Sequence, residues 1–97
     1  MANDAASENA RFLRKSSVLS ASLGPDEAAL LGESREEYFG LNGTAVRVWE
    51  LIAQPRSLAE ICDVLVEEYD CDRDEIERDV RECLAELLAD KLATRTP

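Results

Sequence analysis

Glu37-Tyr38-Phe39-Gly40-Leu41-Asn42-Gly43-Thr44-Ala45-Val46-Arg47-Val48-Trp49-Glu50-Leu51-Ile52 is the stretch on which the fold turns, because the hydrophobic period changes within it. Glu37 to Leu41 has β-favouring aromatics at its centre and reads as a strand. Alternation sends Tyr38 and Gly40 to one face and Phe39 and Leu41 to the other, and leaves open which pair meets the core. From Ala45 the spacing becomes helical: Ala45, Val48, Trp49 and Ile52 make one apolar stripe, with Asn42 expected as its N-cap.

Upstream, Val18, Ser20 and Ser22 alternate with Leu19, Ala21 and Leu23, and Gly24-Pro25-Asp26 signals a turn. Ala28 to Gly32 is a second short apolar run, and Glu33 to Glu36 is a polar turn. The region Ser17 to Asn42 therefore predicts a three-stranded antiparallel meander. Residues 1–16 contain few large apolar side chains and are expected to be a flexible N-terminal tail, with Phe12 and Leu13 as its only anchors; the folded domain is expected over 17–97.

Downstream, Gln54-Pro55-Arg56 closes the first helix. Ser57-Leu58-Ala59-Glu60 matches a capping box and opens a second helix with Leu58, Ile61, Cys62, Leu65 and Val66 on its inner face. After Tyr69-Asp70-Cys71, Asp72 or Asp74 caps a third helix whose stripe is Ile76, Val80, Cys83, Leu84, Leu87 and Leu88. Lys91 lies near its end, and Leu92-Ala93-Thr94 closes as a short strand or frays. The predicted class is α+β: a winged helix-turn-helix, with a three-stranded antiparallel sheet followed by three helices.

The chemistry the sequence offers is that of binding. The chain has 97 residues, a net charge of −10 and no histidine, so the commonest general base and metal ligand is missing. No nucleophile elbow, phosphate-cradling glycine loop or CxxC pair is present. Cys62, Cys71 and Cys83 do not have zinc spacing, and Asp70-Cys71-Asp72-Arg73-Asp74 lacks the glycine bend of a calcium loop. No enzyme activity, cofactor or metal is expected. Met1 to Glu8 does not read as a secretory signal and no apolar run reaches the length of a membrane helix, so a cytoplasmic protein without a membrane partner is expected.

The acidity is uneven. Residues 1–25 carry two acids and three bases, whereas 26–97 carry nineteen acids and eight bases. A DNA-reading third helix would run from Asp74 to Lys91, where seven acids face three bases, and would repel a phosphate backbone. A winged-helix DNA-binding regulator is thus the weaker alternative, and a protein–protein adaptor without a peptide ligand is another.

From Ala28 to Thr94 the chain resembles the PqqD family. Leu30-Leu31, a charged turn and Tyr38-Phe39-Gly40-Leu41-Asn42 look like the family's strand pair with its aromatic-x-Leu-Asn signature. Gly43 to Ile52, Ser57 to Ile61 and Leu65 to Tyr69 resemble the following helices, and Asp79-Val80, Cys83-Leu84 and Leu87 follow the last. The sequence departs at Cys83, where the family often has Phe, and at Lys91-Leu92, where it commonly has Gly-Leu. The resemblance implies a recognition element for ribosomally synthesised, post-translationally modified peptides (RiPPs). Such proteins occur with lasso-peptide, pyrroloquinoline-quinone and radical-SAM systems. The implied partners are a precursor (leader) peptide and a modifying enzyme such as a leader peptidase, cyclase or radical-SAM enzyme.

In that family the leader adds as a strand to the meander edge and lies against the third helix. An unpaired strand edge suits such a ligand physically, because an extended peptide satisfies its amides and carbonyls. The candidate peptide-binding residues are Glu37, Tyr38, Phe39, Gly40 and Leu41 on the edge strand, and Ile76, Asp79, Val80, Cys83, Leu84, Glu86 and Leu87 on the helix. Asp79, Glu82 and Glu86 would meet basic leader residues at the rim. An open edge can also pair with its own copy, so a homodimer is a further expectation.

Overall fold

The structure, a computed structural model, describes residues 10–96. In chain order its elements are β1 (Arg11–Arg14), β2 (Leu19–Gly24), β3 (Glu27–Leu31), β4 (Tyr38–Asn42), α1 (Thr44–Leu51), β5 (Arg56–Ser57), α2 (Leu58–Glu68), α3 (Arg73–Ala89) and β6 (Ala93–Thr96). The predicted meander is the antiparallel sheet β2-β3-β4, and the three predicted helices follow it. The α+β class and the helix-turn-helix built from α2 and α3 agree with the sequence reading.

A second sheet, in the order β5-β1-β6, departs from that reading. The expected tail cannot include Arg11 to Arg14, which form the central strand of this sheet. Arg11 pairs with Ser57 and Thr96, and Arg14 with Ala93. Four residues with a single aromatic carry too little periodicity to reveal a strand whose partners lie more than 40 residues away. Its hold is nonetheless firm: Ala10 and Phe12 are buried, and the Arg14 and Lys15 amides donate to the carbonyls of Ile52 and Leu92. The first nine residues of the expected tail lie outside the described residues. Arg56, read as the end of the first helix, is instead in β5; that helix stops at Leu51, ahead of Pro55.

The core lies between the sheets and the helices. Leu30, Val48, Ile52, Ile61, Cys62, Leu65, Val80 and Leu92 are essentially fully buried. Each of the larger aliphatic side chains contributes about 2 kcal/mol through the surface it removes from water. Trp49 is buried against the same cluster, with the Arg14 guanidinium 5.3 Å from its ring centroid. Arg47 of α1 forks onto Glu68 of α2, donating from Nε at 2.8 Å and from Nη2 at 2.6 Å. These bonds lower the Glu68 carboxyl below its ordinary range. The pair therefore supports the fold above the unfolded carboxylate's pKa and is lost as pH falls through the lowered folded value.

Helix termini follow the sequence in two cases of three. The Ser57–Glu60 capping box is formed, with the Glu60 amide donating to Ser57 Oγ at 3.2 Å and the Ser57 amide to Glu60 Oε1 at 2.9 Å. Asp72 occupies the N-cap of α3, though without a side-chain bond to the helix. Asn42 does not cap α1: it stays in the β ladder opposite Glu27, and Gly43 at φ 56° makes the transition into the helix. Among the described residues no helix is long and apolar enough to cross a membrane.

α3 ends in a Schellman turn. The Lys91 amide donates to Leu88 and the Leu92 amide to Leu87, which requires Lys91 to adopt φ 61°. A side chain in this left-handed region is strained, and glycine is not. Lys91→Gly should therefore stabilise the domain by about 1 kcal/mol, raising Tm by roughly 4–8 °C for a domain of this size, measured by calorimetry.

Candidate functional site

The geometry of the site starts from the parity of the β3–β4 ladder. Leu30 pairs with Phe39, Ala29 with Gly40 and Ala28 with Leu41. The Gly32 amide donates to the Glu37 carbonyl and the Gly43 amide to the Asp26 carbonyl. Hydrogen-bonded and non-hydrogen-bonded pairs alternate in an antiparallel ladder. Residues 37, 39, 41 and 43 therefore direct their backbone groups at β3. Tyr38, Gly40 and Asn42 direct theirs away from it. Since β4 is an outer strand of its sheet, with no further strand paired to it among the described residues, these outward amides and carbonyls form a free edge.

The same register settles the two faces. Phe39 and Leu41 share a face with buried Leu30 and Ala28 and are half-buried against the core. Tyr38 and Gly40 lie on the opposite face, which also carries Leu19 and Leu23 of β2; Tyr38 is 76% exposed, Leu19 53% and Leu23 65%.

Beside the free edge, between β4 and the C-terminal half of α3, lies a groove of about 380 Å³. The strand contributes Tyr38 through Asn42, the first turn of α1 contributes Ala45, and α3 and its exit contribute Cys83, Glu86, Leu87, Asp90 and Leu92. α3 serves two purposes here: Leu87 is buried in the core yet borders the groove, while Glu86 and Asp90 stand on its exposed side.

Seven of the twelve residues singled out in the sequence meet in this groove: Tyr38, Phe39, Gly40, Leu41, Cys83, Glu86 and Leu87. The other five stand elsewhere. Ile76 and Val80 are packed in the core. Leu84 is buried facing a separate hollow formed with Phe12, Leu58 and Leu88. Asp79 is exposed next to Arg78, at 3.8 Å. Glu37 precedes β4 and spends its carbonyl inside the ladder. A helical stripe cannot reveal which of its members border a cleft, because core and groove share the same face. Asn42, Ala45, Asp90 and Leu92 border the groove as well and lie outside that set; Asp90 follows Glu86 by four residues, a spacing that puts both on one side of the helix.

Gly40 has a conformation open to any residue, and a Cβ built there meets nothing within 4 Å. Neither backbone geometry nor internal packing calls for glycine, which weakens a strand interior. What its lack of a side chain leaves bare is the exposed sheet face between Tyr38 and Asn42, next to the free edge. Burial first, and then the charge of Glu86, push the Cys83 thiol up to about 11. Cys83 is thus an inert part of the groove floor at neutral pH.

An α2–α3 helix-turn-helix flanked by an antiparallel wing, with one wing edge open beside a groove, defines a winged-helix domain. The chain belongs to the PqqD family, described as coenzyme PQQ synthesis protein D, whose family model matches residues 27–93. The fold is similar to that of TbiB1, solved in complex with the TbiA(beta) leader peptide, at 34% identity and a TM-score of 0.74 over 84% of this chain and 93% of that one. It is also similar to a lasso peptide synthetase B1 complexed with the leader peptide, at 25% identity and a TM-score of 0.72 over 86% and 96% of the two chains. A third similar structure is the PqqD truncation of Methylobacterium extorquens PqqCD, a functional stand-alone RiPP recognition element, at 25% identity and a TM-score of 0.70 over 87% and 88%. Comparison with curated proteins yields no match.

The state of the thiols is checked by alkylation. At pH 8 about one Cys83 in a thousand should be thiolate, given its raised pKa. Exposed Cys71 should therefore be modified by iodoacetamide well before Cys83, and Cys83 labelling should accelerate as pH rises toward 11, as read by peptide mass spectrometry.

Proposed function

We propose that this protein binds the leader region of a ribosomally synthesised precursor peptide by strand addition to β4 and presents it to a modifying enzyme. The observation that carries this reading is the free edge formed by the backbone of Tyr38, Gly40 and Asn42 alongside a groove with a largely apolar floor. An extended peptide in this position satisfies the edge with main-chain hydrogen bonds, and alternate side chains descend into the groove. The leader complexes of the similar proteins TbiB1 and lasso peptide synthetase B1 support the same kind of ligand here.

Presentation follows from what strand addition leaves uncovered. Only the inward side chains of the added strand are enclosed; the outward ones extend the face that carries Tyr38, Leu19 and Leu23, which is open to a second protein. We read the role as non-catalytic, in keeping with a sequence that lacks histidine and any nucleophile motif. The partner enzyme would be a leader peptidase, a cyclase or a radical-SAM enzyme. A DNA-binding role is disfavoured by the electrostatics of α3, because its exposed surface is dominated by carboxylates.

The test is a titration with a cognate leader peptide. Amide signals of residues 38–42 and of Cys83, Glu86 and Leu87 should shift, and shifts confined to the far surface would refute strand addition. Gly40→Pro provides a sharper check. The residue 40 amide points away from β3, so proline removes a donor from the edge and none from the sheet. The variant should keep its circular dichroism spectrum and lose affinity by about tenfold or more in calorimetric titration, as expected when an edge hydrogen bond is replaced by a clash.

A further inference from the structure

The groove has a largely apolar floor, and the charged groups bordering it are Glu86 and Asp90. Both carboxylates are exposed and have no cationic partner among the described residues. Other exposed acids among the described residues also lack a partner, but these two are the ones that border the groove, whereas several acids elsewhere are matched. Glu33 faces Lys15, Glu60 faces Arg11, Glu68 faces Arg47, Asp63 faces Arg73 and Glu77 faces Arg81. Glu86 and Asp90 also stand four residues apart on one side of α3, at the end of the helix where its dipole is negative and where no basic residue occupies the last turn. Like charges at this spacing, and acids at a helix C-terminus, both oppose helix stability. Folding is therefore not served by this pair. The charge of Glu86 also reaches the groove interior, where it adds to the upward shift at Cys83.

We infer that the groove selects an extended peptide carrying a lysine or arginine on the same face as, and two residues from, apolar side chains, with Glu86 and Asp90 receiving the cation. The inference rests on the strand-addition reading and deepens it. In a strand added to β4, the side chains that enter the groove are those beside Phe39 and Leu41, and successive inward residues are two apart. Apolar members of that series meet Phe39, Leu41, Ala45, Leu87 and Leu92. A basic member lays its aliphatic stem along this floor while its charged head reaches the carboxylates at the rim. An acidic side chain in that place meets two like charges and is rejected, so the pair excludes wrong segments as well as attracting the right one.

The probes are three N-acetylated, C-amidated heptapeptides, Thr-Leu-Thr-Leu-Thr-X-Thr, with X as Lys, Gln or Glu. Each is titrated into the full chain by calorimetry, with Gly40 followed by NMR to report edge pairing. The Lys peptide is expected to bind about fivefold more tightly than the Gln peptide, as for a partly exposed charge contact, and the Glu peptide more weakly still. In the double variant Glu86→Gln/Asp90→Asn the Lys and Gln peptides should become equivalent. The control Glu67→Gln/Asp70→Asn removes the same charge from exposed acids outside the groove and should keep the preference. Equal binding of all three peptides, with Gly40 shifting, would overturn the selection of a cation and leave strand addition standing. A preference that survives the groove variant would trace to overall acidity and overturn the role of Glu86 and Asp90. No binding by any peptide, with Gly40 unmoved, would count against strand addition itself and the inference with it.

Discussion

Much of this molecule depends on the register between β3 and β4. With Phe39 opposite Leu30 and Leu41 opposite Ala28, the strand's large side chains close over the core, and the backbone of Tyr38, Gly40 and Asn42 is left facing outward. A slip of one residue would exchange these roles. Tyr38 would turn into the core, Phe39 would be stranded in solvent, and the outward amides would be those of Phe39 and Leu41 instead of Tyr38, Gly40 and Asn42. The tight loop that joins the strands, closed by the Gly32 amide on the Glu37 carbonyl, holds this parity at one end, and the Gly43 amide on the Asp26 carbonyl holds it at the other.

The opposite wall depends on where α3 stops. Its buried series Ile76, Val80, Leu84 and Leu87 locks the helix to α1 and α2, and the Schellman turn after Asp90 folds Leu92 back into the core. That reversal places Leu92 under the groove and sends β6 alongside β1. The small sheet β5-β1-β6 thus joins the N-terminal strand, the entry to α2 and the exit from α3, three points far apart in sequence. The groove is bordered by elements whose relative positions are set by core packing elsewhere, so its two walls are preorganised.

Membership of the PqqD family and the acidity of α3 are complementary facts. A helix-turn-helix whose third helix carried clustered lysine and arginine would favour phosphate. Here the corresponding helix carries carboxylates, and the wing beside it offers main-chain hydrogen bonds instead of a positive surface. The helix that reads DNA in other winged folds here forms one side of a groove beside a free strand edge.

The amino-acid sequence by itself determined the α+β class, the meander followed by three helices, the Ser57–Glu60 cap and seven of the residues that border the groove. These are local matters: a period of two or of 3.6, a turn dipeptide or a capping pair is written within a few neighbouring residues. Only the tertiary structure decided that Arg11 to Arg14 is a central strand, that Phe39 rather than Tyr38 meets the core, that Ile76, Val80 and Leu84 are spent on packing, and that Asp90 joins Glu86 at the rim. Each of these depends on a partner distant in the chain. Alternation announces that a strand has two faces without saying which is covered, and a stripe announces a buried side without saying where the core ends and a cleft begins.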